Sequence, residues 1–283
     1  MAHLLKNPSV SALRVGVWFI AVGLFITPLV LVVSLALGGN QIPTLLEQGL
    51  SIATWNSLFT TALSALAAVI IGTVIAIAID RTDIYGSSVL RLFLLSPLLV
   101  PPFIGAIAWT QLFGPNQGLN RLIGFELWNI YGADGVIALM TIHSFPTAYV
   151  IISSGLRSIS PDFELAARVS GASVITVLRT VTLPLLRPAL LSAFTLTAIA
   201  NLADFGIPAI IGSPARFETL ATMIYRFIDS GTVSNPLQVV STIGVVLLFL
   251  GIGAVIMDYL TSLRNSPSSH DSGSPARFSL HSA

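Results

Sequence analysis

Long apolar runs constrain this chain more than any other feature of its sequence. Several approach or exceed the roughly 18 to 20 residues that a helix needs to cross the hydrocarbon core of a bilayer. Hydrophobic residues make up 54% of the chain and charged residues only 9%, which is not the composition of a soluble domain. The sequence therefore predicts an all-α integral membrane protein built as one compact helical domain.

Six membrane-spanning helices can be drawn through these runs. Pro97, Pro101 and Pro102 fall in the third helix, which we expect them to bend or break, because proline removes a backbone donor and clashes with the preceding turn. The six predicted spans cover residues 15–37, 55–79, 90–113, 135–155, 189–212 and 238–260.

The ends of the chain differ from the spans in composition. We assign residues 1–14 to an N-terminal tail, 15–262 to the membrane domain and 263–283 to a tail that is too polar to bury a core and is expected to be disordered. A cleaved signal peptide is an alternative for the N-terminus, since residues 34–36 include small side chains. However, its apolar run of about 23 residues exceeds the usual signal core, so we expect a retained first helix.

Basic residues are distributed unequally between the two sides of the predicted membrane domain. With the N-terminus inside, ten of the 13 Lys and Arg residues fall on the inner side and three on the outer side. This positive-inside bias predicts that both termini are cytoplasmic. The inner residues are Lys6, Arg14, Arg81, Arg91, Arg157, Arg168, Arg179, Arg187, Arg264 and Arg277, and the outer ones are Arg121, Arg216 and Arg226.

Composition excludes several kinds of chemistry. The chain has no cysteine, so it can form neither disulfides nor thiolate metal sites. Its one lysine is Lys6, so it has no phosphate-binding loop of the GxxxxGK[ST] type. We predict no catalytic residues, no metal site, no cofactor and no nucleic-acid partner for this chain.

A polar, arginine-bearing insert, residues 156–188, separates the fourth and fifth spans. Ser160 is suited to cap a helix that Pro161 opens, and Asp162 and Glu164 place negative charge in its first turn. Gly171 stands at the right distance to end this helix in a left-handed conformation. A second helix is predicted over residues 174–182, ending at Pro184, with Pro188 opening the next span.

Apolar residues recur along this insert. Because the insert faces the cytoplasm in our orientation, they either pack under the membrane domain or dock into a groove of a partner. The residues alone leave both alternatives open. The set is Phe163, Leu165, Val169, Val174 and Leu178.

The insert resembles the cytoplasmic loop of permease subunits of binding-protein-dependent ABC importers. That family's pattern is Glu-Ala-Ala, three residues, Gly, nine residues and Ile-x-Leu-Pro. Here Ala166 and Ala167, then Gly171, then the segment 181–184 (Val-Thr-Leu-Pro) match it. Two positions depart from it: Leu165 stands at the Glu position, with Glu164 one residue earlier, and Val181 replaces Ile.

The resemblance covers residues 15–260 and implies a type I importer fold in the cytoplasmic (inner) membrane of a bacterium or archaeon. It implies that a cytoplasmic ATPase, which binds ATP and Mg, receives the first helix of the insert, called the coupling helix. It also implies a second permease subunit, the same or a homologous chain, and a periplasmic or lipid-anchored solute-binding protein, with membrane lipid around the spans. The implied coupling residues are Pro161, Asp162, Phe163, Glu164, Leu165, Ala166, Ala167, Gly171, Leu183 and Pro184.

A second resemblance narrows the subfamily. The segments 203–208 (Ala-Asp-Phe-Gly-Ile-Pro) and 219–222 (Thr-Leu-Ala-Thr) are similar to those of permeases for ferric iron, polyamines, thiamine or phosphonates. We therefore expect transport of ferric iron or a similar small solute.

Three polar residues in or near the spans are candidates for the translocation pathway, because ionisable groups at membrane depth usually face a cavity or a partner. Asn201 and Asp204 lie three residues apart in the predicted fifth span, and His143 lies in the fourth. As alternatives, Asp204 caps a break before Pro208, and His143 bonds to a neighbouring helix.

Two other functions remain to be weighed. An ion-coupled secondary transporter usually has more spans, paired broken helices and intramembrane charges for the driving ion, whereas this sequence offers only Asp204. A membrane-embedded enzyme would need a nucleophile with its base, or a metal cluster. The ATP-driven importer subunit is the function that the sequence favours.

Overall fold

A computed structural model of the chain describes residues 8–229, 231, 233 and 235–265. The described residues form helices joined by turns and short loops, and they contain no strand. Of the predicted tails, only 8–14 and 263–265 are described, as the ends of two long helices. The α-helices are α1 Pro8–Leu37, α2 Ile42–Glu47, α3 Leu50–Arg81, α4 Ser87–Leu95, α5 Pro102–Phe113, α6 Gly118–Ile123, α7 Ala133–Ser158, α8 Pro161–Val169, α9 Val174–Val177, α10 Leu183–Leu202, α11 Leu220–Asp229 and α12 Pro236–Asn265.

Within the part of the chain that the structure describes, five continuous segments are long and apolar enough to cross a membrane, and a bent pair counts as a sixth if it is one span. The predicted third span is broken: residues 87–99 and 102–123 meet at an angle of 101°. Pro101 is extended there, with a ψ of 138°, because a residue followed by proline disfavours helical geometry. The five continuous segments are Gly16–Leu37, Leu50–Arg81, Ala133–Ser158, Val174–Leu202 and Pro236–Thr261.

The fifth span corrects the prediction at both ends. Residues 174–202 form one continuous apolar helical segment, so the second helix of the insert does not stop at Pro184. Between α9 and α10, residues 178–182 form a π-helical turn, and this change of hydrogen-bond register accommodates a proline in the next turn. At its other end α10 stops at Leu202 rather than at residue 212.

Helices α3, α7 and α10 form the centre of the bundle, and small residues let them approach closely. A Cβ atom on Gly72 of α3 would lie 2.9 Å from the backbone nitrogen of Tyr149 on α7. Gly155 of α7 meets Ala189 of α10 in the same way. Close backbone approach at small residues is how helices associate in membranes. Around this centre, α1 and α11 pack against α12.

Candidate functional site

The insert folds into a short helical hairpin, residues 160–182, whose first helix has the predicted ends. The Ser160 hydroxyl accepts a hydrogen bond from the Asp162 backbone N–H at 3.3 Å, and Pro161 occupies the first turn of α8. After α8, Gly171 has a φ of +88°, a conformation that glycine adopts without strain. The backbone N–H of Ala172 then donates to the Ala167 carbonyl at 3.1 Å. The Ser160 cap and Gly171 therefore determine where α8 begins and ends.

Most of the apolar side chains of the hairpin point away from the bundle. Val169 is 89% exposed and Phe163 is 59% exposed. An apolar surface of this kind on a segment that is polar elsewhere marks an interaction site. We call it the hairpin surface: Phe163, Leu165, Val169, Val174 and Ile175.

Glu164 faces the other way, into the bundle. Its Oε1 atom accepts hydrogen bonds from Arg81 Nε at 3.2 Å and from the Thr182 hydroxyl at 2.9 Å. The same arginine donates through Nη2 to the Leu156 carbonyl at 2.9 Å. Glu164 therefore connects α8 directly to the end of α3 and to the π turn before α10, and through Arg81 to α7. We call these contacts the Glu164 brace.

The predicted coupling residues thus divide into two groups. Leu183 and Pro184 lie in the first turn of α10, at the start of a core helix and half-buried. Glu164 and Ala167 are also half-buried, on the inner face of α8. The remaining residues are exposed on the hairpin: Pro161, Asp162, Phe163, Leu165, Ala166 and Gly171.

A second charged cluster at the hairpin end was not anticipated from the sequence. Asp80 of α3, whose side chain is only 4% exposed, pairs with Arg91 at 2.7 Å and with Arg157 at 3.1 Å. The Ser153 hydroxyl donates to its other oxygen. One buried carboxylate thus holds α3, α4 and α7 together. The only available signal was that all three charged residues stand at predicted span ends.

The three predicted pathway residues line one recess of about 310 Å³ inside the membrane domain. Asp204 lies beyond the end of α10, not within a span, and its Oδ1 accepts the Gly206 backbone N–H at 2.8 Å. It therefore caps the break before Pro208, which was the alternative to a pathway role in the sequence analysis. It also lines the recess together with His143 and Asn201.

Asn201 also connects the three central helices. Its side-chain nitrogen donates to the Ser64 hydroxyl of α3 at 2.8 Å, and its oxygen accepts from the Ser144 hydroxyl of α7 at 2.5 Å. All three side chains are buried. The amide thus provides a hydrogen-bond partner to both serines across the helix interfaces. Asn201 is therefore an interhelical clamp at the edge of the recess.

The described residues contain no group of three or more His, Asp or Glu side chains placed to hold a metal ion. Among the residues that the structure describes, the ionisable side chains that line the recess are those of His143 and Asp204. This set can contact a polar solute, and its neighbours Thr147 and Thr197 can add hydroxyl groups.

Comparison with known proteins agrees with this architecture. Residues 72–264 match the family model described as binding-protein-dependent transport system inner membrane component. The chain is 27% identical over 227 residues to ferric transport system permease protein FbpB of Actinobacillus pleuropneumoniae, covering 78% of this chain but 32% of that protein. It is 31% identical over 209 residues to putrescine transport system permease protein PotI of Escherichia coli strain K12, covering 72% of this chain and 70% of that protein.

A solved structure shows the same fold. A chain of a bacterial ABC transporter involved in the import of the acidic polysaccharide alginate superimposes with a TM-score of 0.73 at 16% identity, covering 92% of this chain and 96% of that one. At 16% identity, this similarity is evidence for the fold only. On the strength of the family match and of the relatives, this chain belongs to the inner membrane components of binding-protein-dependent transport systems.

Proposed function

We propose that the chain is the permease subunit of an ATP-driven importer, which forms part of the solute pathway and couples to a separate ATP-binding subunit through the hairpin. The observation that carries this proposal is the two-sided construction of α8. Its outer side presents the hairpin surface, and its inner side is fixed to three core helices by the Glu164 brace.

The hairpin surface fits a partner's groove better than it fits solvent. Burying one large apolar side chain contributes about 1.5 to 3 kcal/mol, so Phe163 and Leu165, both more than half exposed, supply a substantial part of a binding energy. Of the two alternatives for the apolar residues of the insert, docking is therefore the one we propose. ATP and Mg on the partner would supply the chemical energy.

The Glu164 brace gives a route for movement from the partner into the membrane domain. When the partner displaces α8, the ion pair to Arg81 and the hydrogen bond to Thr182 transmit that displacement to α3 and α10. The Arg81 bond to the Leu156 carbonyl carries it to α7. We propose that Glu164 thus connects the hairpin to the bundle rather than contacting the ATP-binding subunit.

The remaining partners follow from family membership. We propose a second permease subunit, the same or a homologous chain, and an external solute-binding protein. The solute would be ferric iron or a similarly small solute, since relatives are named for ferric and putrescine transport. From the positive-inside bias of the basic residues, we propose that the hairpin and both termini lie on the cytoplasmic side of the cell membrane.

Co-purification of the ATP-binding subunit tests this function. We expect Phe163→Asp with Leu165→Asp to reduce its recovery with the full chain by about 10- to 100-fold, since two apolar anchors are lost. Leu122→Asp with Phe125→Asp is the matched control, because both residues are exposed near the opposite end of the bundle. Equal recovery with both double variants would reject the proposal, as would uptake that ignores ATP depletion but collapses with an ionophore.

A further inference from the structure

One face of α7 carries polar side chains along most of the helix. His143, Thr147, Val150, Ser154 and Arg157 follow each other at intervals of four and three residues, so they share one side of the helix. None of the five is buried. We call this face the α7 stripe. Four of its five residues are polar, and a polar face in contact with hydrocarbon is costly, so the stripe is built to face something other than lipid tails.

Two recesses lie along the α7 stripe, one after the other. The first is the recess of about 310 Å³ that contains His143 and Thr147 together with residues of α10. The second, of about 410 Å³, is lined by Val150, Ser154 and Arg157, and across from them by Arg91. The stripe thus joins the mid-membrane recess to the hairpin end of the bundle.

The second recess is positively charged. Two guanidinium groups face one carboxylate, and the carboxylate of Asp80 is hidden while the Arg91 and Arg157 side chains are 38% and 56% exposed. Exposed guanidinium donors fixed in place by a buried carboxylate are well suited to bind an oxyanion.

We propose that the α7 stripe is the wall along which the solute crosses this subunit, and that Arg91 and Arg157 form an anion site at its cytoplasmic end. The site takes a compact carboxylate, phosphate or other oxyanion group. This inference rests on the proposed function, because it requires that the chain be a solute-conducting subunit.

Introduced cysteines test the path of the stripe, because the chain has none of its own. Thr147→Cys and Ser154→Cys would be made singly in the full transporter in membranes, with Leu66→Cys and Ile70→Cys on the exposed apolar face of α3 as controls. We expect water-soluble methanethiosulfonate reagents to modify the stripe cysteines at least ten times faster than the controls. Equal rates would overturn the proposed path.

The charge of the reagent tests the anion site. At Ser154→Cys we expect a negatively charged methanethiosulfonate to react several-fold faster than a positively charged one of similar size. Because both reagents meet the same thiol, the ratio of the two rates is independent of its pKa. Adding Arg157→Gln should lower this ratio towards that of Thr147→Cys, and adding Arg157→Lys should preserve it. A ratio of one or less in the parent variant would overturn the anion site.

Recovery of the ATP-binding subunit, measured on the same preparations, separates the two proposals. If the partner co-purifies but the stripe cysteines react no faster than the controls, the pathway proposal alone fails. If the partner does not co-purify with the unmodified chain, the proposed function fails.

Discussion

The two ends of the helical bundle are held together by different kinds of interaction. At the hairpin end, Asp80 and Glu164 each form ion pairs with arginines from other helices. At the opposite end one ion pair, Glu218 with Arg226, accompanies contacts between neutral groups. The Asn120 side chain donates to the Trp128 carbonyl and accepts the Leu127 backbone N–H, both at 2.9 Å. There the Ser57 hydroxyl also accepts the Leu220 backbone N–H at 2.8 Å.

This difference relates structure to the proposed function. A carboxylate shared by several helices resists their separation strongly, because removing it leaves charged partners uncompensated. Such connections suit the end that must pass a displacement from α8 to the core. Asn120, by contrast, forms hydrogen bonds with residues no more than eight positions away in the sequence, so it stabilises local structure. The comparison predicts that charge neutralisation has its largest effects at the hairpin end.

Replacing Asp80 tests that prediction most severely. Asp80→Asn removes the charge that Arg91 and Arg157 share, and we expect it to lower the free energy of unfolding by about 2 to 4 kcal/mol, less than for a fully buried pair because the arginines are partly exposed. Reversible unfolding in mild detergent would measure the loss. Asp162→Asn, on the exposed face of α8, is the control and should cost much less. Equal stability of the two variants would contradict the comparison.

A substitution of Glu164 separates two properties of the transporter: binding of the ATP-binding subunit and coupling of ATP hydrolysis to solute uptake. Glu164→Ala removes the acceptor for Arg81 and Thr182 but leaves the hairpin surface intact, so we expect the ATP-binding subunit to bind while solute uptake per ATP hydrolysed falls at least fivefold. The measurement is coupled uptake and hydrolysis in proteoliposomes. Exchange of the two charges, Arg81→Glu with Glu164→Arg, should recover part of the loss that either reversal causes alone. An unchanged ratio in Glu164→Ala would show that the brace carries no movement.

The neutral clamp in the middle of the bundle should matter less than Asp80. Asn201→Ala leaves the Ser64 and Ser144 hydroxyls without their shared partner, and we expect a cost of about 1 to 2 kcal/mol in the free energy of unfolding. Unfolding in detergent again gives the value. Ser154→Ala, an exposed hydroxyl on the same bundle, should change it by less than about 0.5 kcal/mol. A larger effect for Asn201 than for Asp80 would reverse the comparison.

Glu218 forms an ion pair with Arg226 at 2.9 Å. Among these variants, neutralising Glu218 should have the smallest effect on the free energy of unfolding. Burial raises the pKa of Glu218, and the nearby Arg226 only partly opposes this. Because the folded-state pKa lies above the unfolded one, folding favours the protonated form of Glu218. Its contribution to the free energy of unfolding is therefore fully present below the ordinary pKa of 4.5 and is lost as pH rises through the folded-state pKa. Glu218→Gln should therefore gain stability relative to wild type as pH rises from 4 to 7, whereas Glu126→Gln, an exposed control, should not. A stability difference that shrinks with pH would contradict this sign.

Sequence patterns were sufficient for the approximate positions of the membrane-spanning segments and for α8, because apolar length and end signals are local properties. Ser160 and Gly171 define the ends of α8 as predicted. The end of the fifth span was wrong because hydropathy does not register the break at Asp204, which depends on a hydrogen bond to Gly206. Likewise, Pro184 does not end a helix, because the π-helical turn before α10 changes the hydrogen-bond register and accommodates the proline.

The charged pairs of the hairpin end could not be predicted from the sequence. Arg81 and Glu164 are 83 residues apart, and Asp80 and Arg157 are 77 apart, so only the packing of α3 against α7 brings them together. For the same reason the inward direction of Glu164 was not evident, and the sequence left open whether the apolar residues of α8 pack inward or face outward. The three pathway candidates do share one recess, but their role in transport remains a prediction.

Photocrosslinking from the hairpin surface tests the central claim most directly. A photoreactive phenylalanine analogue would replace Leu165, which is 57% exposed on α8, or Leu122, which is 85% exposed near the opposite end. With the full transporter in native membranes, we predict a crosslinked product from position 165 whose second component is an ATP-binding subunit, and no such product from position 122. An ATP-binding subunit crosslinked from position 122 but not from 165 would contradict the account.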